Sequence, residues 1–218
     1  HEKGIVLDEA LRSKAEQWTS EAKTVIALAD ERKAWGVLAI TDRLKPTSPK
    51  AIEELHKQGI EVWMLTGDQP EAAREVARQV GIAHYKAGVL PQEKAMFIQE
   101  LQVKGKKVAM VGDGINDAPV LAGANVGAAM GSGADAAIEA ADVVFMNAEL
   151  TSVPKAIDIA RETGSIAWQN VAFALGVKGV IMVAGLLGYA SMWAAVFADT
   201  GVAMLCVLNS VRILYKKF

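Results

Sequence analysis

From residue 49 to residue 146 the chain alternates amphipathic stretches with short apolar runs. Residues 49–58, 69–80 and 91–104 repeat their apolar positions at helical spacing, and Gly59, Gly81 and Gly105 stop them. A further helix begins over 118–122. The runs 60–65, 84–87, 107–111, 126–130 and 143–146 read as strands. Helices alternating with short apolar strands predict a mostly parallel sheet covered on both faces. Ahead of this region the pattern differs. Residues 8–22 read as a helix, with Asp8 as its cap and Leu11, Ala15 and Trp18 at apolar or small positions. Residues 24–29 and 34–40 read as two strands around the polar tip Asp30-Glu31-Arg32-Lys33. Pro46 and Pro49 punctuate the loop that follows.

The end of the chain carries no such alternation. Residues 166–190 and 193–214 are two almost uncharged stretches, separated by Gly188-Tyr189-Ala190-Ser191. As helices, they would run roughly 37 Å and 33 Å, each enough for a hydrocarbon core of about 30 Å. Arg161 precedes the pair, and Arg212, Lys216 and Lys217 follow it. The bias of basic residues toward the cytosolic side puts both ends inside and the link outside. The alternative is a buried helical hairpin in a soluble core. Two adjacent runs of this length exceed ordinary core helices.

Composition sharpens the division. Apolar residues make up 52% of the 218, and the excess lies in the last quarter of the chain. With a net charge of −2, nothing in the composition suggests nucleic acid as a partner. The single Cys206 rules out an internal disulfide, in keeping with a reducing, cytosol-facing soluble part. No signal peptide opens the sequence, and His1-Glu2-Lys3 reads as a start inside a longer protein.

Candidate chemistry sits where apolar runs break into polar residues. Ligands of α/β folds bind beyond the carboxyl ends of the strands. Thr66-Gly67-Asp68 offers a hydroxyl and a free backbone N–H at a turn, both good phosphate donors. Lys94 lies near the start of a helix and can set a point charge beside a phosphoryl group. Asp113 and Asp117 are hard oxygen ligands suited to Mg²⁺, and Asn116 can donate to a phosphate oxygen. Taken singly, each has a plainer reading: a common turn, a solvated lysine, a helix cap at Asp117. Their order along a βαβ pattern makes the set far more specific.

Thr66-Gly67-Asp68, Lys94 and Gly112-Asp113-Gly114-Ile115-Asn116-Asp117-Ala118-Pro119 resemble the phosphorylation domain of P-type ATPases. The resemblance implies an α/β, haloacid-dehalogenase-like (Rossmann-type) domain followed by a transmembrane helical hairpin. It implies that residues 1–36 are the tail of a nucleotide-binding domain, 37–150 most of the phosphorylation domain, and 151–218 the last two membrane helices. Asp113 would bind Mg²⁺, organised by Asn116 and Asp117. Thr66 and Gly67 would hold the phosphoryl oxygens, and Lys94 would neutralise them. Asp42-Arg43-Leu44-Lys45-Pro46 sits at the family's hinge segment, with Lys45 where an arginine is usual.

Two ionisable groups, Lys178 and Asp199, lie inside the apolar spans. Such groups are costly in a bilayer and mark function by default. Counted from the outer link, their depths differ by roughly 6 Å, a gap that a lysine side chain can cover. The alternative is that Lys178 snorkels and Asp199 lies in an aqueous recess. Phe197-Ala198-Asp199-Thr200-Gly201 and Ala174-Leu175-Gly176-Val177-Lys178-Gly179 resemble the zinc/cadmium/lead subgroup of heavy-metal (type IB) pumps. There the aspartate ligates the ion and the lysine is a built-in counter-charge. A carboxylate favours a divalent ion over Cu⁺; Cys206 reads as apolar packing.

The family's phosphorylated aspartate, in an Asp-Lys-Thr-Gly motif, does not occur in this sequence, nor does a Cys-Pro-Cys motif. The sequence therefore reads as the C-terminal piece of a pump, inactive alone and lacking the sheet strand that carries the nucleophile. The complete machine would use ATP and Mg²⁺ to export Zn²⁺, Cd²⁺ or Pb²⁺ across the cell membrane, with residues 1–165 and the C-terminus cytosolic. Its partners would be the lipid bilayer and the rest of the same pump. A membrane-anchored phosphatase of the same fold and a non-catalytic regulatory remnant are the competing readings.

Overall fold

The structure is a computed structural model and describes residues 8–20, 23–30, 33–40, 44–189 and 191–216. Several positions singled out above lie outside the described residues: His1 to Lys3, Glu31, Arg32, Asp42, Arg43, Ala190 and Lys217. The chain divides into two compact units, His1–Ser152 and Val153–Phe218.

The first unit opens with helix α1 (Glu9–Ser20) and an antiparallel hairpin, β1 (Thr24–Ala29) and β2 (Ala34–Ile40). The hairpin register pairs Val25 with Ala39 and Ala27 with Val37, and runs unbroken across positions 36 and 37. Then come α2 (Ser48–Lys57), β3 (Trp63–Leu65), α3 (Pro70–Val80), β4 (His84–Lys86) and α4 (Pro91–Val103). After these follow β5 (Ala109–Gly112), α5 (Ala118–Gly123), β6 (Val126–Met130), α6 (Asp135–Ala140) and β7 (Val143–Phe145).

All strands after the hairpin pair in parallel, as the alternating pattern predicts. They form two sheets rather than one: β3 with β4, and β5-β6-β7. The amphipathic stretches bury the faces their spacing selects, Ala51, Ile52 and Leu55 on α2 and Ala73, Ala77 and Val80 on α3. On the second sheet, Leu121, Ala129 and Ala137 are fully enclosed, with Met110 and Ile138 packed against them. Trp63 and Met64 of β3 and Met110 and Val111 of β5 are only half-buried. Only the central strand β6 is buried along most of its length, and among the described residues β3 and β5 each pair on one side alone.

The second unit is a helical hairpin. Helix α7 (Ser152–Leu186) is 35 residues long and begins fourteen residues before the apolar stretch. The second limb is not one regular helix, in contrast to the expectation for 193–214. It consists of α8 (Met192–Val196), a π-helical turn at Phe197–Gly201, α9 (Val202–Val211) and a 3-10 turn at Arg212–Tyr215. Ser152–Leu186 and Met192–Tyr215 are both long and apolar enough to cross a membrane. That supports a multi-pass membrane placement.

Candidate functional site

Of the residues singled out as candidate phosphate ligands, Thr66, Gly67 and Asp68 follow β3 and Asp113, Asn116 and Asp117 follow β5. After β3 the chain turns at Thr66-Gly67-Asp68. The Thr66 hydroxyl donates to the Asp68 carboxylate at 2.7 Å and accepts from the Asp68 backbone N–H at 3.1 Å. The loop after β4 closes over this turn: the Gly88 N–H donates to the Asp68 carbonyl at 2.8 Å, and the Val89 N–H to the Thr66 carbonyl at 3.0 Å. Two residues later α4 begins, with Pro91 in its first turn and the Glu93 carboxylate accepting the Leu90 backbone N–H at 2.8 Å. The first turn of α4 therefore stands beside the Thr66 turn and carries Lys94.

Lys94 does not reach open solvent. Its ammonium donates to the Asp117 carboxylate at 2.9 Å, and both side chains are about 15% exposed. Asp117 occupies the position that precedes α5 but does not cap it. Its second oxygen instead takes the Gly114 N–H at 3.4 Å. Instead of capping α5, Asp117 makes a charged bridge from the loop after β5 to the first turn of α4. Asp113 and Asn116 are exposed, and neither makes a side-chain hydrogen bond or ion pair among the described residues.

The loop after β6 braces Asp113 from behind. The Ala134 N–H donates to the Asp113 carbonyl at 2.8 Å. A Cβ on Gly133 would lie 2.6 Å from that carbonyl oxygen, so only glycine admits this approach. The sequence carried one trace of this contact, the glycines of Gly131-Ser132-Gly133 directly after a strand. Mg²⁺ keeps several waters and takes one or two carboxylates. Asp113, exposed and with its backbone fixed from behind, fits that requirement. The oxygens of Asp117 are already committed to Lys94 and Gly114. Together the two loops and the first turn of α4 present a hydroxyl, backbone N–H groups, a lysine and a hard carboxylate, a donor set suited to holding a phosphoryl group beside a divalent cation.

In the second unit the Lys178 ammonium donates to the Asp199 carboxylate at 3.0 Å. The lysine side chain thus spans the difference in depth between the two residues and makes direct contact. Asp199 lies within the π-helical turn, where the Val202 N–H donates to the Phe197 carbonyl five residues back. Such turns break the regular ladder and recur at functional sites. Among the described residues no three His, Cys, Asp or Glu side chains gather as a metal site. A polar cluster missed in the sequence also joins the two limbs. Asn170, Asn209 and Ser210 hydrogen-bond across them, and the Cys206 thiol lies 3.7 Å from the Asn170 carbonyl. Cys206 is therefore part of a polar contact, not of apolar packing alone.

A profile described as haloacid dehalogenase-like hydrolase matches residues 2–125, more than half of the chain. The chain belongs to the haloacid dehalogenase-like hydrolase family. A second profile of the same description matches residues 94–157. The chain is a homologue of heavy-metal P-type ATPases of the zinc/cadmium/lead type. It is 42% identical over 201 residues to a cadmium, zinc and cobalt-transporting ATPase of Bacillus subtilis, covering 90% of this chain and 29% of that protein. It is 47% identical over 196 residues to a zinc-transporting ATPase of Synechocystis, covering 88% of this chain and 27% of that protein. A crystal structure of a zinc-transporting PIB-type ATPase in its E2.Pi state superposes with a TM-score of 0.84 at 38% identity. That match covers 94% of this chain and 34% of the other. The chain thus spans about a third or less of the length of these relatives.

Proposed function

We propose that this chain is the C-terminal part of an ATP-driven pump that exports Zn²⁺, Cd²⁺ or Pb²⁺ from the cytosol. The observation that carries the reading is the Lys178–Asp199 ion pair, at 3.0 Å within an apolar helical hairpin. A carboxylate in lipid needs a cation, and the lysine stands in for one when no ion is bound. On the same chain lies a phosphate-handling site. In this reading the Thr66 hydroxyl and the Gly67 N–H hold the phosphoryl oxygens. Lys94, steadied by Asp117, offsets their charge. Asp113 holds Mg²⁺, which supplies further neutralisation of the phosphoryl oxygens, and Asn116 donates to one of them. Asp68 fixes the Thr66 hydroxyl.

The phosphorylated aspartate lies outside the sequence, which holds no Asp-Lys-Thr-Gly run. Among the described residues β3 and β5 each have one side without a strand partner, which agrees with a missing strand that would carry it. The isolated chain is therefore inactive in ATP hydrolysis. Residues 1–36 belong to a nucleotide-binding region, 37–150 to the phosphorylation domain and 151–218 to the last two membrane helices. The region up to residue 165 and the C-terminus face the cytosol. The bilayer, ATP and the rest of the pump are its partners.

Asp199→Ala in the full-length protein is expected to abolish metal-stimulated ATPase activity while leaving phosphorylation by inorganic phosphate intact. Full metal stimulation in that variant would remove Asp199 from the mechanism. Asp113→Asn is expected to prevent phosphoenzyme formation from ATP at ordinary Mg²⁺; normal levels would overturn the assignment of Asp113.

A further inference from the structure

Asn170 lies on α7, eight residues nearer its N-terminal end than Lys178. Both N–H donors and the oxygen of its side-chain amide are engaged. The Nδ2 group donates to the Cys206 carbonyl at 3.1 Å and to the Ser210 hydroxyl at 2.9 Å. The Oδ1 oxygen accepts from the Asn209 amide at 2.8 Å. Ser210 is itself oriented, because its hydroxyl donates to the Cys206 carbonyl at 3.0 Å. The Cys206 thiol lies 3.7 Å from the Asn170 backbone carbonyl. One residue of α7 thus engages three residues of α9 in two directions. Satisfying a two-donor, one-acceptor amide this way fixes both the rotation and the axial register of one helix against the other.

The energetics favour specificity over strength. In lipid, a single interhelical side-chain hydrogen bond adds little, because the separated helices also find partners. A single polar residue in an apolar seam does, however, select one register, since any slip leaves its amide unpaired. The register matters here. Eight residues along α7 from Asn170 reach Lys178, a rise of about 12 Å. Seven residues back from Cys206 reach Asp199, about 10 Å along the antiparallel limb. The amide cluster and the ion pair are two points on one seam.

We propose that Asn170 is a positioning residue: its amide pins α7 to α9 at the one register and rotation that bring the Lys178 ammonium to the Asp199 carboxylate. The pin itself stands on the hydrogen-bond geometry; its bearing on transport rests on the role of the ion pair proposed above.

The test reads proximity and affinity separately, in the full-length protein in lipid nanodiscs without added metal. An apolar carbodiimide activates the Asp199 carboxylate. The Lys178 amine, in its neutral form, attacks the activated carbonyl. An amide bond forms, and the carboxylate oxygen leaves on the carbodiimide as a urea. Mass spectrometry of the joined peptides measures the yield. Asn170→Leu, close in shape but unable to hydrogen-bond, is expected to lower that yield at least threefold. Asn209→Leu, which removes one bond of the cluster, is expected to lower it less. Asn209→Leu also keeps the test decisive if Asn170→Leu does not fold. Wild-type yield in both variants overturns the proposal, as does absence of the amide in the wild type.

The second readout is the Zn²⁺ concentration for half-maximal ATPase stimulation. Asn170→Leu and Lys178→Ala are each expected to shift it about three- to tenfold, and the double variant no further than Lys178→Ala alone. Additive shifts overturn the proposal, since they mean Asn170 acts on stability rather than through Lys178. A cross-link that depends on Asn170, with Zn²⁺ stimulation indifferent to Lys178, upholds the pin and instead removes the ion pair from the proposed function.

Discussion

Lys94 and Asp117 form a partly buried ion pair that ties the first turn of α4 to the loop after β5, with 2.9 Å between ammonium and carboxylate. The pair has two consequences. It holds the lysine at the mouth of the candidate phosphoryl site, and it leaves Asp113 as the carboxylate open to a cation. Removing one member of such a pair leaves the other charge desolvated and uncompensated. Lys94→Met is therefore expected to cost about 2–3 kcal/mol in stability. In the full-length protein it should also lower phosphoenzyme formation at least tenfold. The double variant Lys94→Met/Asp117→Leu should recover most of the stability and none of the phosphorylation. Chemical unfolding and acid-stable phosphoenzyme assays on the same set measure both.

Gly133 makes a different kind of support. A Cβ there would lie 2.6 Å from the Asp113 carbonyl oxygen, 2.9 Å from the Asp113 Cα and 2.9 Å from the Met130 carbonyl. All three are backbone atoms, so no side chain can swing aside. Gly133→Ala is expected to destabilise the first unit by about 1–3 kcal/mol, as overpacking does. It should also raise the Mg²⁺ concentration needed for phosphorylation, because the displaced backbone carries Asp113. Gly123→Ala is the control: a Cβ there meets nothing within 4 Å. Equal effects from the two substitutions would remove Gly133 from the support of Asp113.

Much of this was legible in the sequence, for physical reasons specific to each segment. The hairpin strands match their predicted limits because β-branched and aliphatic runs are cut off sharply by the charged Asp30–Lys33 tip. Helices α3 and α4 begin at Pro70 and Pro91, where a missing N–H costs nothing. The Thr66 and Asp113 loops announce themselves as glycine and carboxylate following apolar runs. Other features left no local trace. Strand β3 covers only Trp63–Leu65 of the expected 60–65, because its partner β4 offers just three residues. Helix α6, six residues long, is too short to show a period. Neither the π-helical turn around Asp199 nor the partners of Asn170 follow from spacing, because both depend on contacts across the hairpin.

The contact between residues about a hundred positions apart was equally invisible. Thr47 stands at the cap position of α2 but gives its helix no side-chain hydrogen bond. Its hydroxyl donates instead to the Glu149 carboxylate, and the neighbouring Lys45 ammonium to the Ala148 carbonyl. These two bonds fasten the segment arriving from the hairpin to the segment leaving for α7. Thr47→Val is expected to destabilise the first unit by about 1 kcal/mol. Glu149→Gln, which keeps a weaker acceptor, should cost less. A double-mutant cycle of unfolding free energies should show coupling between the two positions, and strict additivity would rule out the bond.

Glu75 provides a pH signature. The Arg78 guanidinium hydrogen-bonds its carboxylate at 2.7 Å, and with the Gln79 amide it lowers the pKa from 4.5 to about 2. A carboxyl depressed on folding stabilises fully above its unfolded value, and the contribution fades as pH falls toward the folded value. The contribution of Glu75 is therefore present above pH 4.5 and fades as pH falls from there through about 2. A Glu75→Gln variant should show a shallower loss of stability across that window than the wild type. Carboxyl NMR titration should find Glu75 still ionised at pH values where ordinary exposed glutamates are protonated.

Gly201 links the π-helical turn to the ion site. A Cβ at this position would lie 2.7 Å from the Phe197 ring, which rests flush against the glycine one turn away. The obstacle is a side chain rather than backbone, so the strain has a defined route of relief. Gly201→Ala must either turn the Phe197 ring outward or open the turn that holds Asp199. If the ring moves, Asp199 stays in place and the Zn²⁺ dependence of ATPase activity in the full-length protein is unchanged. If the turn opens, Asp199 shifts away from Lys178 and the concentration for half-maximal stimulation rises. The π turn lacks the regular hydrogen-bond ladder that would resist opening. The expected outcome is therefore a rise of about threefold to tenfold in that concentration, in line with a loss of about 1 kcal/mol. Phe197→Ala in the same chain should remove the clash and restore the wild-type value. A double variant as impaired as Gly201→Ala alone would mean that the glycine serves the site by some contact other than the ring.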